Sequence, residues 1–383
     1  MSTVDEATQG LAVGTTVDPG RRPLLVVEDL TTTFIGGPVE VTPVDSVSLT
    51  LDRGESLGIV GESGSGKSVL SRTIMGLIAP GERVRRSGRV EFDGVEITAL
   101  PRKDVRRLWG KKIAMVLQDP LTSLNPVKKI GAQLSETVRR HSPKLSRAQV
   151  NERSIELLRS VGIPEPAGRM GNYPHQMSGG MRQRVGIAIA LAGDPRLLIA
   201  DEPTTALDVT VQLQILELLS RQQSDREMAM ILVTHDLGVV ATRTDRIIVM
   251  YAGRVVESAP TQELFRNVKM PYTRALLDAL PRRDQPSHSR LRAIGGNPPN
   301  LAAPQPGCRF ASRCPAAQAR CRTEEPPLQV AENTEDHLYR CWYPVGTPEF
   351  DKAYADRDLV VPDEEPDAAE NDAEELLTKE GAS

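Results

Sequence analysis

LLVVEDLTTTF (24–34) is strand-like, and apolar and polar positions alternate with a two-residue period over VDSVSLTLDRG (44–54). That period predicts half-buried strands. SLGIV (56–60), KKIAMVLQ (111–118), RLLIADEP (196–203) and MAMILVTHD (228–236) are instead short and apolar almost throughout, and predict buried strands. GRVEFDGVEI (88–97) reads as a strand pair, and RIIVMYAGRVVESA (246–259) as a hairpin turning at Ala252-Gly253. Helical spacing appears from Lys67 to about Leu77, in KIGAQLSETVRRH (129–141) and RAQVNERSIELLRSV (147–161), and again in VQLQILELLSRQQ (211–223) and MPYTRALLDALP (270–281). Between about 124 and 191 the pattern is mostly helical. No internal repeat is present, so the expectation is one α/β domain over 24–281 with a helical subdomain at about 124–191.

The flanks differ. Residues 1–23 are small and polar and are expected to be a disordered lead-in. Residues 282–300 are rich in Pro, Arg and Asn and read as a linker, opening a C-terminal extension that runs to 345. The segment 346–383 is expected to be an acidic, disordered tail; 12 acidic and 3 basic residues fall between Asp351 and Ser383. The net charge of −4 therefore hides a mildly basic body, too mild to argue for nucleic acid. Aromatic content of 3% argues against base-stacking platforms. No run of 18 apolar residues exists. No secretory signal is visible at the N-terminus, so a cytoplasmic chain is expected.

Residues 61–68, GESGSGKS, match G-x-x-x-x-G-K-[ST] between an apolar strand and a helix, the context a phosphate-binding loop requires. Gly61, Gly64 and Gly66 let the backbone curl so that N–H groups of Glu62, Ser63, Ser65 and their neighbours face phosphate oxygens, and the helix N-terminus adds partial positive charge. Lys67 is expected on the β/γ-phosphates and the Ser68 hydroxyl on Mg²⁺. Asp201 and Glu202 end a buried strand; Asp201 is expected to hold Mg²⁺ and Glu202 to orient or deprotonate the attacking water. His235 ends the next strand, within reach of the γ-phosphate. Gln118 ends another and is suited to Mg²⁺ or water. Ser178-Gly179-Gly180 opens a helix with free N–H groups and reads as a second phosphate site.

Taken in order, these motifs resemble an ABC-transporter ATPase: GESGSGKS is similar to Walker A, LLIADE to Walker B, MSGGM (177–181) to the signature. Gln118 is similar to the Q-loop, Ala206-Leu207-Asp208 to the D-loop and His235 to the H-switch. The resemblance implies a RecA-like P-loop core with an antiparallel β subdomain and a helical subdomain. It also implies two ATPases clamped head to tail, each ATP lying between Lys67 of one and Ser178 of the other. Met177 and Met181 depart from the commonest LSGGQ, while Ser178 and both glycines are kept. Phe34 lies where an adenine-stacking aromatic is expected, or is simply a strand core residue.

QDPLTSLNP (118–126), YPHQMSGGMRQR (173–184), DEPTTALDVTVQLQIL (201–216) and GNPPNLAAPQPGCRF (296–310) resemble the oligopeptide, dipeptide or nickel permease group, and Met181 and TTALDVTV its D-type ATPase. This implies a paralogous ATPase partner, two membrane permease subunits, an extracytoplasmic binding protein acting indirectly, and a peripheral place on the cytoplasmic face of the membrane. A non-transport ABC ATPase is the competing reading; the long coiled-coil inserts or second cassette it would need are not in the sequence. Cys308, Cys314, Cys321 and Cys341 are the chain's four cysteines. Clustered thiolates can ligate Zn²⁺ or a 4Fe-4S cluster; the resemblance to relatives with a C-terminal cluster favours 4Fe-4S, with packed thiols as the plain alternative.

Overall fold

The two hydrophobic periods end up in two different sheets. The alternating segments form an antiparallel sheet of β1 (Leu25–Phe34), β2 (Val41–Leu51), β4 (Val84–Phe92) and β5 (Val95–Glu96), in the order β2-β1-β4-β5. The apolar runs form the parallel part of the second sheet: β3 (Ser56–Val60), β6 (Ile113–Val116), β7 (Leu197–Asp201), β8 (Ala229–Thr234) and β9 (Arg246–Tyr251) run in the order β9-β3-β8-β7-β6, with β6 at the sheet's edge. Strands buried on both faces need apolar residues at every position, and β7, β8 and β9 have no exposed residue. The computed structural model describes residues 22–37, 39–78, 80–118, 123–205, 207–280, 294–303, 306–332 and 334–356. All but the last two residues of the expected lead-in, most of the expected linker and the tail beyond 356 lie outside these residues.

One face of the parallel sheet, with Leu57, Ile59, Ile199 and Ile231, packs against Leu70 and Ile74 of helix α1 (Lys67–Ile74) and the inner face of the small sheet. Residues one step along point the other way. Val60, Leu198, Ala200 and Leu232 meet helices α2 (Ile130–His141), α3 (Arg147–Ser160), α4 (Gly179–Leu191) and α5 (Val209–Asp225) through Leu134, Leu157, Ile187 and Ile215. The period-2 geometry of strands thus divides the core into two layers. Helix α3 begins at a capping box: the Ser146 hydroxyl accepts the Gln149 N–H at 3.3 Å, and Gln149 Oε1 accepts the Ser146 N–H at 2.9 Å.

The expected hairpin joins β9 to β10 (Arg254–Pro260) through Ala252 and Gly253, both at positive φ (48° and 87°), the conformation of a tight two-residue turn that matches strand twist. Beyond it the structure contains strands that the hydrophobic pattern does not predict. β11 (Gln329–Ala331) and β12 (Thr334–Tyr339) form an antiparallel hairpin, and β12 pairs with β10, matching Glu257 with Tyr339 and Ser258 with Leu338. The chain's C-terminal part therefore extends the central sheet. His337, fully buried, pins this junction: its Nε2 lies 2.9 Å from Oε1 of the equally buried Glu257, which also accepts the Lys269 N–H at 2.6 Å. Helix α6 (Pro271–Asp278) follows, and Tyr272 packs with Tyr251 and Phe310 at ring-centroid distances of 4.5 to 5.3 Å. Pro348–Asp356 forms a further helix where the acidic tail was expected to be disordered; Phe350 is buried there and stacks on Tyr354, enough apolar surface to hold one short helix.

Candidate functional site

β3 delivers the chain to the Gly-rich turn, and crowding leaves room only for backbone. A Cβ on Gly66 would lie 1.9 Å from the Pro43 carbonyl oxygen, and one on Gly61 2.2 Å from that of Met250. Gly66 also holds φ 101°, a conformation that glycine alone adopts freely. The turn opens α1 with its N-terminal N–H groups unpaired by helix bonds, as an anion site requires. Lys67 is only 4% exposed and folds back over the turn, its Nζ donating to the Gly61 carbonyl at 2.7 Å and to that of Glu62 at 2.9 Å. Burial lowers its pKa, opposed by Glu202, Asp201 and Glu62.

β7, separated from β3 by β8, carries Asp201 to the same place. Its Oδ1 accepts the Ser68 hydroxyl at 2.8 Å, while Oδ2 is buried with no hydrogen-bond partner. Burial raises this carboxyl's pKa, and the Ser68 bond opposes the rise. A hydroxyl and an orphaned carboxylate oxygen side by side are hard oxygen donors, and they fit Mg²⁺. Glu202 follows with left-handed φ of 45°, its N–H held by the Val233 carbonyl at 3.0 Å. A non-glycine residue in that region is uncommon and clusters at functional sites. The turn aims the Glu202 carboxylate into the cleft, where Oε2 accepts Gln118 Nε2 at 2.9 Å and Thr205 Oγ1 at 3.0 Å, with His235 Nδ1 at 3.8 Å. Pro43, Glu62, Ser63, Gly64, Gly66, Lys67 and Ser68 line one part of an open cleft of about 640 Å³, and Gln118, Glu202 and His235 another. Ser65 is buried beneath the turn, and its carbonyl accepts the Gly253 N–H at 3.0 Å.

Other expected residues lie elsewhere. Ser178 caps α4, its hydroxyl accepting the Met181 N–H at 3.3 Å. Neither Ser178, Gly179 nor Gly180 lines the cleft. The glycines instead allow α4 to approach α5, since a Cβ on Gly180 would lie 2.6 Å from Val211 Cγ1. Met177 is buried and Met181 partly so, both against the helical core; the two departures from the common signature are apolar packing positions. Asp208 caps α5, accepting the Val211 N–H at 3.0 Å. Ala206, beside it, lies outside the described residues. Phe34 ends β1, paired with Val41 and Val84; Pro43, not Phe34, is among the cleft's lining residues. The sequence reading missed Thr205, Gln183 and Arg313. A Thr two residues past Pro203 in a carboxylate-bearing turn was a usable signal for the first.

A phosphate loop, a strand-borne Asp-Glu pair and a separate Ser-Gly-Gly helix start define an ATP-binding cassette. A family profile described as "ABC transporter" matches residues 44–205, and one described as "Oligopeptide/dipeptide transporter, C-terminal region" matches 256–321. The chain is 46% identical over 319 residues to the oligopeptide transport ATP-binding protein OppD of Bacillus subtilis, covering 83% of this chain and 88% of that one. It is 44% identical over 321 residues to the dipeptide transport ATP-binding protein DppD of the same organism, covering 83% and 94%. Among solved structures, a dimeric ATP-binding cassette in a post-hydrolysis state with ADP and Pi aligns at TM-score 0.56 and 28% identity over 62% of this chain and 98% of that one. The chain belongs to the ATP-binding subunits of the ABC transporter family, in its oligopeptide/dipeptide branch.

The expectation of a 4Fe-4S cluster or Zn²⁺ at the cysteines is corrected. Cys308, Cys314, Cys321 and Cys341 do meet, around one small cavity shared with Phe310 and Trp342. Among the described residues, however, no group of three or more His, Cys, Asp or Glu side chains is placed to hold a metal ion, and the relatives above carry no iron–sulfur name. Burial pushes the Cys308 thiol up to about 11 and Cys314 up to about 12, and raises Cys341 as well. With no metal bound, this apolar setting favours protonated, packed thiols.

Proposed function

We propose that this chain is the ATP-hydrolysing subunit of an importer for oligopeptides or dipeptides, seated peripherally on the cytoplasmic face of the membrane and paired with a paralogous ATPase on two permease subunits. The observation that carries the reading is the convergence of Lys67, Ser68, Glu202, Gln118 and His235 on one cleft, with buried Asp201 bonded to Ser68 behind it. In this reading residues 24–281 are the nucleotide-binding domain and 282–345 its C-terminal extension with the four-cysteine segment. The N–H groups of residues 61–68 bind the triphosphate and Lys67 moves from its carbonyls toward the β/γ oxygens. Mg²⁺, when held by Ser68, Asp201 and Gln118, neutralises charge on the transferring phosphoryl group. Glu202 accepts a proton from the attacking water as the new O–P bond forms and the bond to the β–γ bridging oxygen breaks; His235 orients that water. Ser178, Gly179, Gly180 and Asp208 serve the other ATP of a two-subunit clamp, a reading supported by their absence from the lining of this cleft. Substrate passes through the permeases and an external binding protein, never through this chain.

The test is isolation from native membranes with nucleotide trapping. Two multi-span subunits and a second ATPase are expected in the complex, and peptide uptake is expected to stop when this chain is deleted. Glu202→Gln is expected to retain ATP binding and lose turnover; unchanged steady-state ATPase in the assembled complex would overturn its assignment.

A further inference from the structure

The phosphate loop is gripped from an unexpected direction. Arg313, between Cys308 and Cys314 in sequence, is 251 residues from Glu62 along the chain, yet its guanidinium forks onto the Glu62 carboxylate, Nη1 to Oε2 at 2.6 Å and Nη2 to Oε1 at 2.9 Å. The Arg313 side chain is 2% exposed. It is fixed further by the Gly295 and Ile294 carbonyls at 2.9 and 3.2 Å, and by the Tyr251 hydroxyl at 3.3 Å. Glu62 is held at its backbone too: its N–H donates to the Tyr272 hydroxyl at 2.9 Å, and its carbonyl accepts Lys67 Nζ at 2.9 Å. A partly buried bidentate Arg–carboxylate pair is among the stronger and geometrically more specific contacts a protein makes.

Glu62 also lines the cleft and its charge acts on Lys67, so it lies close to where an anionic triphosphate is to bind. Alone, that charge repels phosphate. Neutralised by a guanidinium anchored in the C-terminal segment, it becomes a handle by which that segment holds the loop. We propose that Arg313 is a positioning residue for ATP binding: it cancels the Glu62 charge beside the triphosphate, so the docking of the cysteine-bearing segment sets nucleotide affinity. The proposal rests on the reading that ATP occupies this loop.

The experiment is equilibrium titration of the full chain with a fluorescent ATP analogue, alongside thermal unfolding. Lys67→Ala is the control for the site: if it leaves binding intact, the placement of ATP fails, whatever the Arg313 variants do. Arg313→Gln is expected to raise the Kd roughly tenfold, the scale of one uncompensated charge a few ångströms away in a partly buried setting. The double variant Arg313→Gln with Glu62→Gln is expected to return the Kd to within about twofold of the parent, because the repelling charge is gone, even if its melting temperature stays low. A purely structural role would leave the double variant as weak as the single one, and that result, or an unchanged Kd in Arg313→Gln, overturns the proposal. If Arg313→Gln does not fold, Glu62→Gln alone carries the test. It leaves the guanidinium uncompensated and must tighten ATP binding; an unchanged or weaker Kd overturns the proposal.

Discussion

Gln183, one turn into α4, donates its Nε2 hydrogen to the Pro203 carbonyl at 2.7 Å, a buried bond joining the helix that Ser178 caps to the turn that aims Glu202. The element expected to face one ATP is thereby tied to the carboxylate expected to act on the other. Gln183→Leu removes the donor and leaves a buried carbonyl unpaired, at a cost of about 1–2 kcal/mol. Denaturant unfolding is expected to show that loss. Steady-state ATPase is expected to fall several-fold while the Kd for ATP stays near its parent value, since Gln183 is not among the residues lining the cleft.

Asp201→Asn separates stability from catalysis. Burial holds the Asp201 carboxyl above its ordinary pKa, so between the unfolded value and the raised folded value the folded chain binds more protons than the unfolded one. Stability therefore falls as pH rises through that window, and the ionised carboxylate is a cost at neutral pH. The amide removes the charge. Calorimetry of the nucleotide-free protein at pH 7 is expected to show a melting temperature about 2–4 °C higher in the variant, a gain that shrinks as pH drops through the raised value. Mg²⁺-dependent hydrolysis is expected to be lost.

The cysteines offer a chemical test of their packing. With Cys308 at about 11 and Cys314 at about 12, roughly a thousandth or less of either is thiolate at pH 8. Iodoacetamide is expected to modify these two about a hundredfold more slowly in the native chain than in urea, read by mass spectrometry of the digested protein. Equal rates would mean the thiols are open to solvent.

His337→Ala strips the fully buried Glu257 of its side-chain partner. Breaking one side of a buried pair costs about 3 kcal/mol. The urea midpoint is expected to fall accordingly. Glu257→Gln should be milder, because it keeps the site's shape while removing the carboxylate.

The ATP cleft was legible because its chemistry is local. Gly61 to Ser68 are contiguous, and Asp201, Glu202, Gln118 and His235 each terminate a run of apolar residues that declares itself a buried strand. What the sequence did not disclose is contact between distant segments. The β11–β12 hairpin has little apolar content, and its pairing partner β10 lies about 70 residues earlier, across a linker; no period in QVAENTEDHLY announces that docking. Arg313 sits in a Cys-rich stretch and carries no local mark of a bond to Glu62. The same stretch misled the metal expectation, since four cysteines crowd together as readily around an aromatic ring as around an ion.

The hairpin on β10 settles how far the cassette can be trimmed. Were Gln329–Tyr339 removed, Arg254–Pro260 would become the rim of the parallel sheet, with the N–H and C=O groups that now pair with Leu338 and Tyr339 unclaimed and Val255, Val256 and Ala259 beneath them. A bare, flat, apolar rim recruits strands from other chains. A fragment ending near residue 280 is therefore expected to aggregate faster than the full chain, and light scattering of the two at equal concentration checks it.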